Sequence, residues 1–437
     1  MKRFVLLLLI CFIAFACEQN DAVQPQNTTK QATKSKYRTL DDAIDIAEKS
    51  VSMLGEQTRA TKRSIDRSQI RAVLDRRATT RSAAADTLIY IINFDDSAGF
   101  ALVPRSTSKP ELLAITEKGN YNGEETDNEG FNIYMSRAYE WIVDSTHDGQ
   151  PIDTTFNPGV GGGGIGDQVI TEWKSETIYD TLNIGPLLTT QWDQNEPFNN
   201  FCLLNGASSG DSAYAGCTAI AVAQIMAYHE YPYFTTLTYP FAHVNSIPLT
   251  WDTWKTDVYS NQTGIAAFIR EIGEQIDMEY ELGRSGAWLS DARLYMQRIG
   301  YECGEYQDYS QTSVINSIIH TRPVPVQAYR YNEKNELEGH TWVIDGYKAV
   351  ETTTKEWQRQ INQTQWTLVN TFFRRTKYLH FNWGWEGFYD GLFFIESYTT
   401  GGAGGTFTQT EDFFSTNNPS LNYNLYVDIV PNIHRNN

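Results

Sequence analysis

The sequence predicts an α+β protein made of two globular parts joined by a glycine-rich linker. Three observations carry that expectation. Apolar residues recur at helical spacing between Leu40 and Gly55, and two β-branched, aromatic runs, Thr87 to Phe94 and Phe100 to Val103, flank a polar turn at Asp95 to Gly99. Residues 153–168, with Pro158 and the run Gly161 to Gly164, carry no periodic pattern and separate these elements from the rest. The remainder holds most of the 25 Tyr, 21 Phe and 11 Trp, and from Thr218 it is apolar on nearly every helical face, as expected of a helix buried in a core.

In chain order, Lys2 and Arg3 precede a run of 13 apolar residues, Phe4 to Ala16. That is too short to cross a ~30 Å hydrocarbon core as a helix, and reads as a secretory signal. The run stops at Ala16-Cys17, followed by Glu18-Gln19-Asn20-Asp21. This resembles a bacterial lipoprotein signal, in which the Cys after the cut is acylated; the alternative is an ordinary signal with a Cys beside it. Residues 1–17 are therefore expected to be a signal peptide with a lipoprotein Cys, and the Gln-, Asn- and Thr-rich residues 18–36 a tether. Thr39 and Asp42 form a capping-box pattern ahead of Ala43, Ile44, Ala47, Val51 and Leu54. Residues 56–85, basic and poor in apolar residues, read as an exposed helix or loop. Strands follow at Thr87 to Phe94, Phe100 to Val103 and Glu111 to Thr116, then a helix near Tyr134 to Asp144. These make a small α+β domain over 37–150. Residues 151–175 read as a linker and activation region, and 176–437 as the large domain, with the polar stretch 347–379 read as a hairpin carrying an insertion.

Composition narrows the function. With 41% hydrophobic residues the chain can build a large core, which excludes wholesale disorder. A net charge of −18 would repel phosphate backbones, so no nucleic-acid partner is expected. Of the 5 Cys, Cys11 leaves with the signal and Cys17 would carry lipid, leaving Cys202, Cys217 and Cys303. Three is odd, so at least one exported thiol stays free. Carboxylates show no metal-ligand spacing, and no P-loop, dinucleotide fingerprint or Cys-x-x-Cys occurs, so neither metal nor cofactor is implied.

Cys217 falls in the first turn of the apolar helix, where the partial positive charge of the helix start favours thiolate. It is a candidate nucleophile, or else a small core residue. His340 follows Gly339 and opens the apolar run Thr341 to Ile344, so it is a candidate base or a His capping a strand. His380 opens a second strand and is the other candidate. His229 lies about three turns along the helix from Cys217, too far to touch it.

Together these blocks are specific. Gln194 with Pro197-Phe198-Asn199, Ala215-Gly216-Cys217 with Gln224 to His229, Gly339-His340 with Val343 to Gly346, and His380 to Gly387 with its Asn382-Trp383-Gly384-Trp385 core resemble, in order, the streptopain family of papain-fold cysteine proteases. The Gly-rich segment Thr400 to Phe407 resembles that family's active-site loop, and Tyr90 to Val103 with Leu112 to Tyr121 its inhibitory propeptide. The resemblance implies a papain-like α+β fold, with the central Cys-bearing helix packed on an antiparallel sheet. It implies that Cys217 is the nucleophile and that His340 is the base, then the acid to the leaving amine. It further implies that the Cys217 N–H and the Gln194 side chain stabilise the oxyanion, and that Asn382 or Trp383 orients or shields the imidazole. Proteins or peptides are the implied substrates, and the protein's own 37–150 domain is the implied intramolecular inhibitor. The exported precursor is expected at the outer membrane or cell surface, anchored there if Cys17 is acylated, with the mature enzyme released. The rival readings are another Cys–His acyl transferase, such as a transglutaminase, and a non-catalytic surface-binding or nutrient-capture protein on the same fold.

Overall fold

The computed structural model describes residues 35–54, 63–76, 87–143, 171–204, 212–237, 244–281, 284–331, 337–361, 363–401, 406–409 and 426–435. The signal with Cys17, nearly all of the 18–36 tether, the 153–168 linker and the centre of the Thr400 to Phe407 segment lie outside the described residues.

Helix α1, Leu40–Ser50, starts on the expected capping box. The Asp42 N–H donates to the Thr39 hydroxyl at 3.2 Å, and the Thr39 N–H donates to the Asp42 carboxylate at 2.7 Å. Helix α2, Glu129–Val143, begins more than a turn earlier than the apolar spacing indicated, because the Asn128 side chain accepts from the Phe131 N–H at 2.9 Å. The later helices are α3 Cys217–His229, α4 Trp251–Thr256, α5 Gln262–Gln275, α6 Leu289–Arg298 and α7 Gln311–Ile319.

The strands of the first part are β1 Arg71–Leu74, β2 Thr87–Asn93, β3 Phe100–Pro104 and β4 Ala114–Thr116. The described part of the basic stretch departs from its reading as exposed helix or loop in two places, while Arg67, Arg71 and Arg76 are exposed as read. It supplies the edge strand β1, and Arg63 is buried because its guanidinium donates to the Thr116 and Glu117 carbonyls at 2.6 and 3.3 Å. The second part contributes β5 Thr171–Ile184, the short strands β6 Phe234–Leu237, β7 Val244–Pro248, β8 Glu279–Glu281, β9 Arg284–Gly286, β10 Tyr301–Glu302 and β11 Gln307–Asp308, then β12 Val324–Tyr331, β13 Leu337–Gln360, β14 Thr367–Asn382, β15 Gly391–Gly401, β16 Thr406–Gln409, β17 Tyr426–Ile429 and β18 His434–Arg435. Because β5 starts at Thr171, where it pairs with Gln360, the last residues of the 151–175 linker are strand. The 347–379 stretch is the expected hairpin: β13 and β14 pair from Val343–Asn382 out to Gln358–Thr367.

Among the described residues one antiparallel sheet of 12 strands runs β1-β2-β3-β4-β15-β14-β13-β12-β17-β11, with β16 on β15 and β5 on β13. The fold class is the α+β arrangement expected, with the Cys-bearing helix against the sheet. What the sequence reading lacked is that both parts share that sheet, joined where β4 pairs with β15 through Thr116–Gly391, Ile115–Leu392 and Ala114–Phe393. Two cores follow. On one side α1 and α2 bury Phe100, Phe131 and Tyr134 with Phe381, Trp383 and Phe393 of the large part. On the other side α3 sits among α5 and α6 with Val343 of β13.

Candidate active site

Helix α3 is apolar all round because it is buried all round: every residue from Thr218 to Ala227 is buried. Its cap is Gly216, at φ +90°, where a Cβ would lie 2.5 Å from Met278 Cε. Both the backbone angle and the space call for glycine there. Cys217 is thereby held at the first turn, partly exposed, in the field of the helix start. The Ala215 N–H donates to the Gln194 carbonyl at 2.8 Å, which pins the loop carrying Gln194 against the approach to the helix; Gln194 itself is buried. Thr218 donates to the Ala287 carbonyl at 2.9 Å and lies 2.9 Å from the Thr341 hydroxyl. Loss of water pushes the Cys217 thiol above its ordinary value and the charge of Glu129 adds to this, while hydrogen bonds with Thr341 and Thr218 pull the other way.

His340 stands in β13 and is 1% exposed. Its Nε2 lies 2.8 Å from the Trp383 carbonyl oxygen. A carbonyl can only accept, so Nε2 carries the proton and Nδ1 the lone pair. Among the described residues that buried Nδ1 has no hydrogen-bond partner. The ring lies nearly parallel to Trp342 and Trp385, with centroids 6.5 and 6.3 Å away. Burial pushes the imidazole below its ordinary value, against the opposing pull of Glu129 and the Trp383 carbonyl.

The surface over His340 comes from the small part. Gly130, second residue of α2, packs so closely that a Cβ there would lie 2.6 Å from His340 Cδ2 and 2.7 Å from Trp383 Cε3. Glu129 beside it is held above the usual carboxylate range by burial. Nearby, Phe131 and Tyr134 set their rings 6.5 and 4.8 Å from Phe393. His340 is thereby covered by the small part.

The two residues expected to orient His340 divide the work differently. Trp383 meets it through the main-chain carbonyl, and the Trp383 N–H in turn donates to Asp390 at 2.8 Å. The Asn382 amide is turned elsewhere. Its Oδ1 accepts from Gln224 at 2.9 Å and from the Gly384 N–H at 3.2 Å, and its Nδ2 donates to the Thr190 carbonyl at 2.8 Å. Gln224, fully buried on α3, also accepts from the Trp192 N–H at 3.3 Å. One amide therefore ties the Cys217 helix to the Gln194 loop and to the turn bearing Trp383. Sequence reasoning gave Gln224 no role; its signal was an amide within an otherwise apolar helix.

His380 is not a second base. It pairs with Gly346, six residues along β13 from His340 and so roughly 20 Å away at strand rise. Its Nδ1 lies 2.6 Å from Asp345 and its Nε2 3.4 Å from Glu117 of the small part. Those carboxylates hold it protonated well above its ordinary range despite burial. His229, by contrast, is pushed down to about 4 by burial. Among the described residues no cluster of His, Cys, Asp and Glu could hold a metal ion.

Comparison with known proteins gives the following. Residues 192–393 match the Peptidase C10 family. The chain is similar to streptopain of Streptococcus pyogenes, 22% identical over 360 residues covering 72% of this chain and 77% of that one. It is also similar to the thiol protease/hemagglutinin PrtT of Porphyromonas gingivalis, 23% identical over 356 residues covering 73% of this chain and 35% of that protein. Among solved structures, a fragment of prointerpain A from Prevotella intermedia aligns over 84% of this chain and 98% of its own, at 18% identity and a TM-score of 0.49.

Proposed function

We propose that this cysteine-type peptidase, whose residues 192–393 match the Peptidase C10 family, is exported as a self-inhibited precursor whose catalytic pair is Cys217 and His340. In the uncovered enzyme the His340 Nδ1 lone pair takes the Cys217 proton, and the thiolate attacks the peptide carbonyl. The Cys217 N–H and the Gln194 side-chain amide receive the oxyanion. The imidazolium gives its proton to the departing amine as the C–N bond breaks, and water then hydrolyses the thioester. Trp383 fixes the His340 tautomer through its carbonyl, while Asn382 and Gln224 hold Trp383's turn against the nucleophile helix.

The observation that carries the inhibitory reading is Gly130, lying against His340 and Trp383 with no room for one further carbon. Supporting it, the small part shares the sheet of the large one through β4 and β15. Cutting within 151–175 breaks the covalent link between the two parts, and if Cys17 is acylated the 37–150 part stays with the membrane while the catalytic part can leave it once it dissociates.

The test is incubation of the full-length chain. Wild type is expected to process itself between about residues 153 and 185 and to gain casein-cleaving activity that iodoacetamide abolishes. Cys217→Ala should persist uncut. Proteolysis by folded Cys217→Ala would overturn the catalytic pair, and full activity without processing would overturn the inhibitory reading. For the anchor, wild-type precursor should fractionate with membranes and Cys17→Ser should not; equal solubility of the two would remove it.

A further inference from the structure

Among the described residues one long edge of the shared sheet carries no further strand. Strand β5, Thr171–Ile184, is 14 residues long and pairs only with β13. Its outer side therefore presents a row of N–H and C=O groups to any strand that can lie along it. Trp173, Ile178, Tyr179 and Leu182 are all exposed on it, Tyr179 by 65%. Long edges are ordinarily guarded by a proline, a bulge or a charge turned toward an approaching strand. β5 contains no proline, and its register on β13 runs without a shift from Thr171 to Ile184. Its first two charges are engaged inward. Glu172 receives Arg359 at 2.6 Å, and the Lys174 ammonium lies 4.9 Å from the ring centroids of both Trp357 and Trp366.

The order of side chains on β5 selects the occupant, because the strand is complementary to itself. An antiparallel pair related by a twofold axis at Thr177 sets Lys174 opposite the partner's Asp180, and Asp180 opposite the partner's Lys174. That register pairs residues 171–183, all but the last of the strand's 14 residues. On the other face it sets Trp173 opposite the partner's Thr181 and Tyr179 opposite the partner's Ser175. The exposed Tyr179 ring then lies diagonal to the partner's Trp173, within reach of an aromatic side chain. Neighbouring registers are worse. Moving the axis by one residue sets Glu176 against itself or against Asp180, and moving it by two shortens the paired stretch. Like charges directly opposite one another are destabilising, so charge alone favours the axis at Thr177.

We propose that β5 is a dimerisation edge: two copies of this chain join antiparallel along it, extending one sheet through both. Residues 171–183 on each side fall short of the ~20–30 residues a side of a standard interface, so the dimer belongs to the weak, concentration-dependent class.

The experiment is sedimentation of the full-length precursor across micromolar concentrations, in a Cys217→Ala background so that composition stays fixed. A reversible monomer–dimer equilibrium is expected. Lys174→Glu and Asp180→Lys each oppose like charges twice across the axis, and each should raise the dissociation constant roughly 10- to 100-fold. Mixed in equal amounts, the two variants should form a heterodimer close to wild-type strength, because each supplies the charge that the other lacks. Lys174→Glu also loses a contact with Trp357 and Trp366, so a cross-link provides an independent reading. Thr177→Cys, on the axis, should form a disulfide-linked dimer under a mild oxidant, whereas Thr181→Cys, some eight residues from its own copy along the strands, should not. A precursor monomeric at every concentration would overturn the proposal. Undiminished dimerisation in both charge variants, or equal cross-linking at 177 and 181, would overturn β5 as the edge that joins them.

Discussion

Gly130→Ala tests whether the small part closes the site by direct contact. The added Cβ would meet His340 Cδ2 at 2.6 Å and Trp383 Cε3 and Cζ3 at 2.7 and 2.8 Å. Ordinary carbon contacts lie near ~3.5–4.0 Å, so about 1 Å is missing against two rings. Neither ring has open space to yield into, with His340 1% and Trp383 0% exposed. Overpacking of this kind costs about 1–3 kcal/mol. At ~1.4 kcal/mol per tenfold, the open fraction should rise roughly 5- to 150-fold. The better helix propensity of alanine acts on open and closed forms alike and largely cancels. The assay is the rate at which iodoacetamide alkylates Cys217 in intact precursor, followed by peptide mapping over times too short for self-cleavage. The mapping separates Cys217 from Cys202 and Cys303, whose thiols burial pushes up to about 11 and about 12. Alkylation of Gly130→Ala at the wild-type rate would refute the contact.

Three further outcomes are expected. Gln224→Leu strands the Asn382 carbonyl of its 2.9 Å donor and should cost about 1–3 kcal/mol of stability; in the folded fraction kcat should fall while KM changes little, read by steady-state kinetics beside thermal melts. His380→Gln removes the cation between Asp345 and Glu117 and should destabilise the precursor by about 3–5 kcal/mol in denaturant titrations at pH 7. His229 sits at about 4 in the folded chain against an ordinary ~6.5, so as pH falls through that window the unfolded state takes up the proton first and stability is lost. His229→Phe should flatten that loss in chemical unfolding measured between pH 7 and 4, and an unchanged slope would count against the burial argument.

Features set by neighbouring residues were legible in the sequence. Thr39 and Asp42 cap α1, the run around Asp95 to Gly99 turns back as a hairpin, and the apolar stretch after Cys217 is a buried helix. Features set by distant pairs were not. Nothing local in Ala114–Thr116 announces a partner at Gly391, and nothing in Gly130 announces the ring of His340. Arg63 misled because its neighbours Arg67 and Arg71 are exposed as they look, whereas Arg63 spends its charge on carbonyls at the end of β4. Asn382 misled in the opposite way. Its place beside Trp383 invited an orienting role, but a buried amide bonds wherever its donors and acceptors are satisfied, and Gln224 and Thr190 lie within reach.

The cover also acts on the chemistry of what it hides. A thiolate–imidazolium pair needs a Cys easy to deprotonate and a His easy to protonate. Loss of water moves the Cys217 thiol up and the His340 imidazole down, so both shifts disfavour the charged pair. The Glu129 charge opposes itself, disfavouring the thiolate while favouring the imidazolium, which leaves desolvation in control. Whatever lifts α2 therefore restores access and reactivity together. A cut in the linker removes none of the contacts that hold α2 down: the β4–β15 pairs, the Phe131 and Tyr134 rings on Phe393, and Glu117 on His380 all remain. What the cut changes is concentration. Before it, the small part faces the site at an effective concentration on the order of millimolar; after it, rebinding depends on the amount free in solution. On the proposed inhibitory reading, the same broken peptide bond would leave the site covered where both pieces stay crowded, and open it where the piece carrying Cys217 is diluted away.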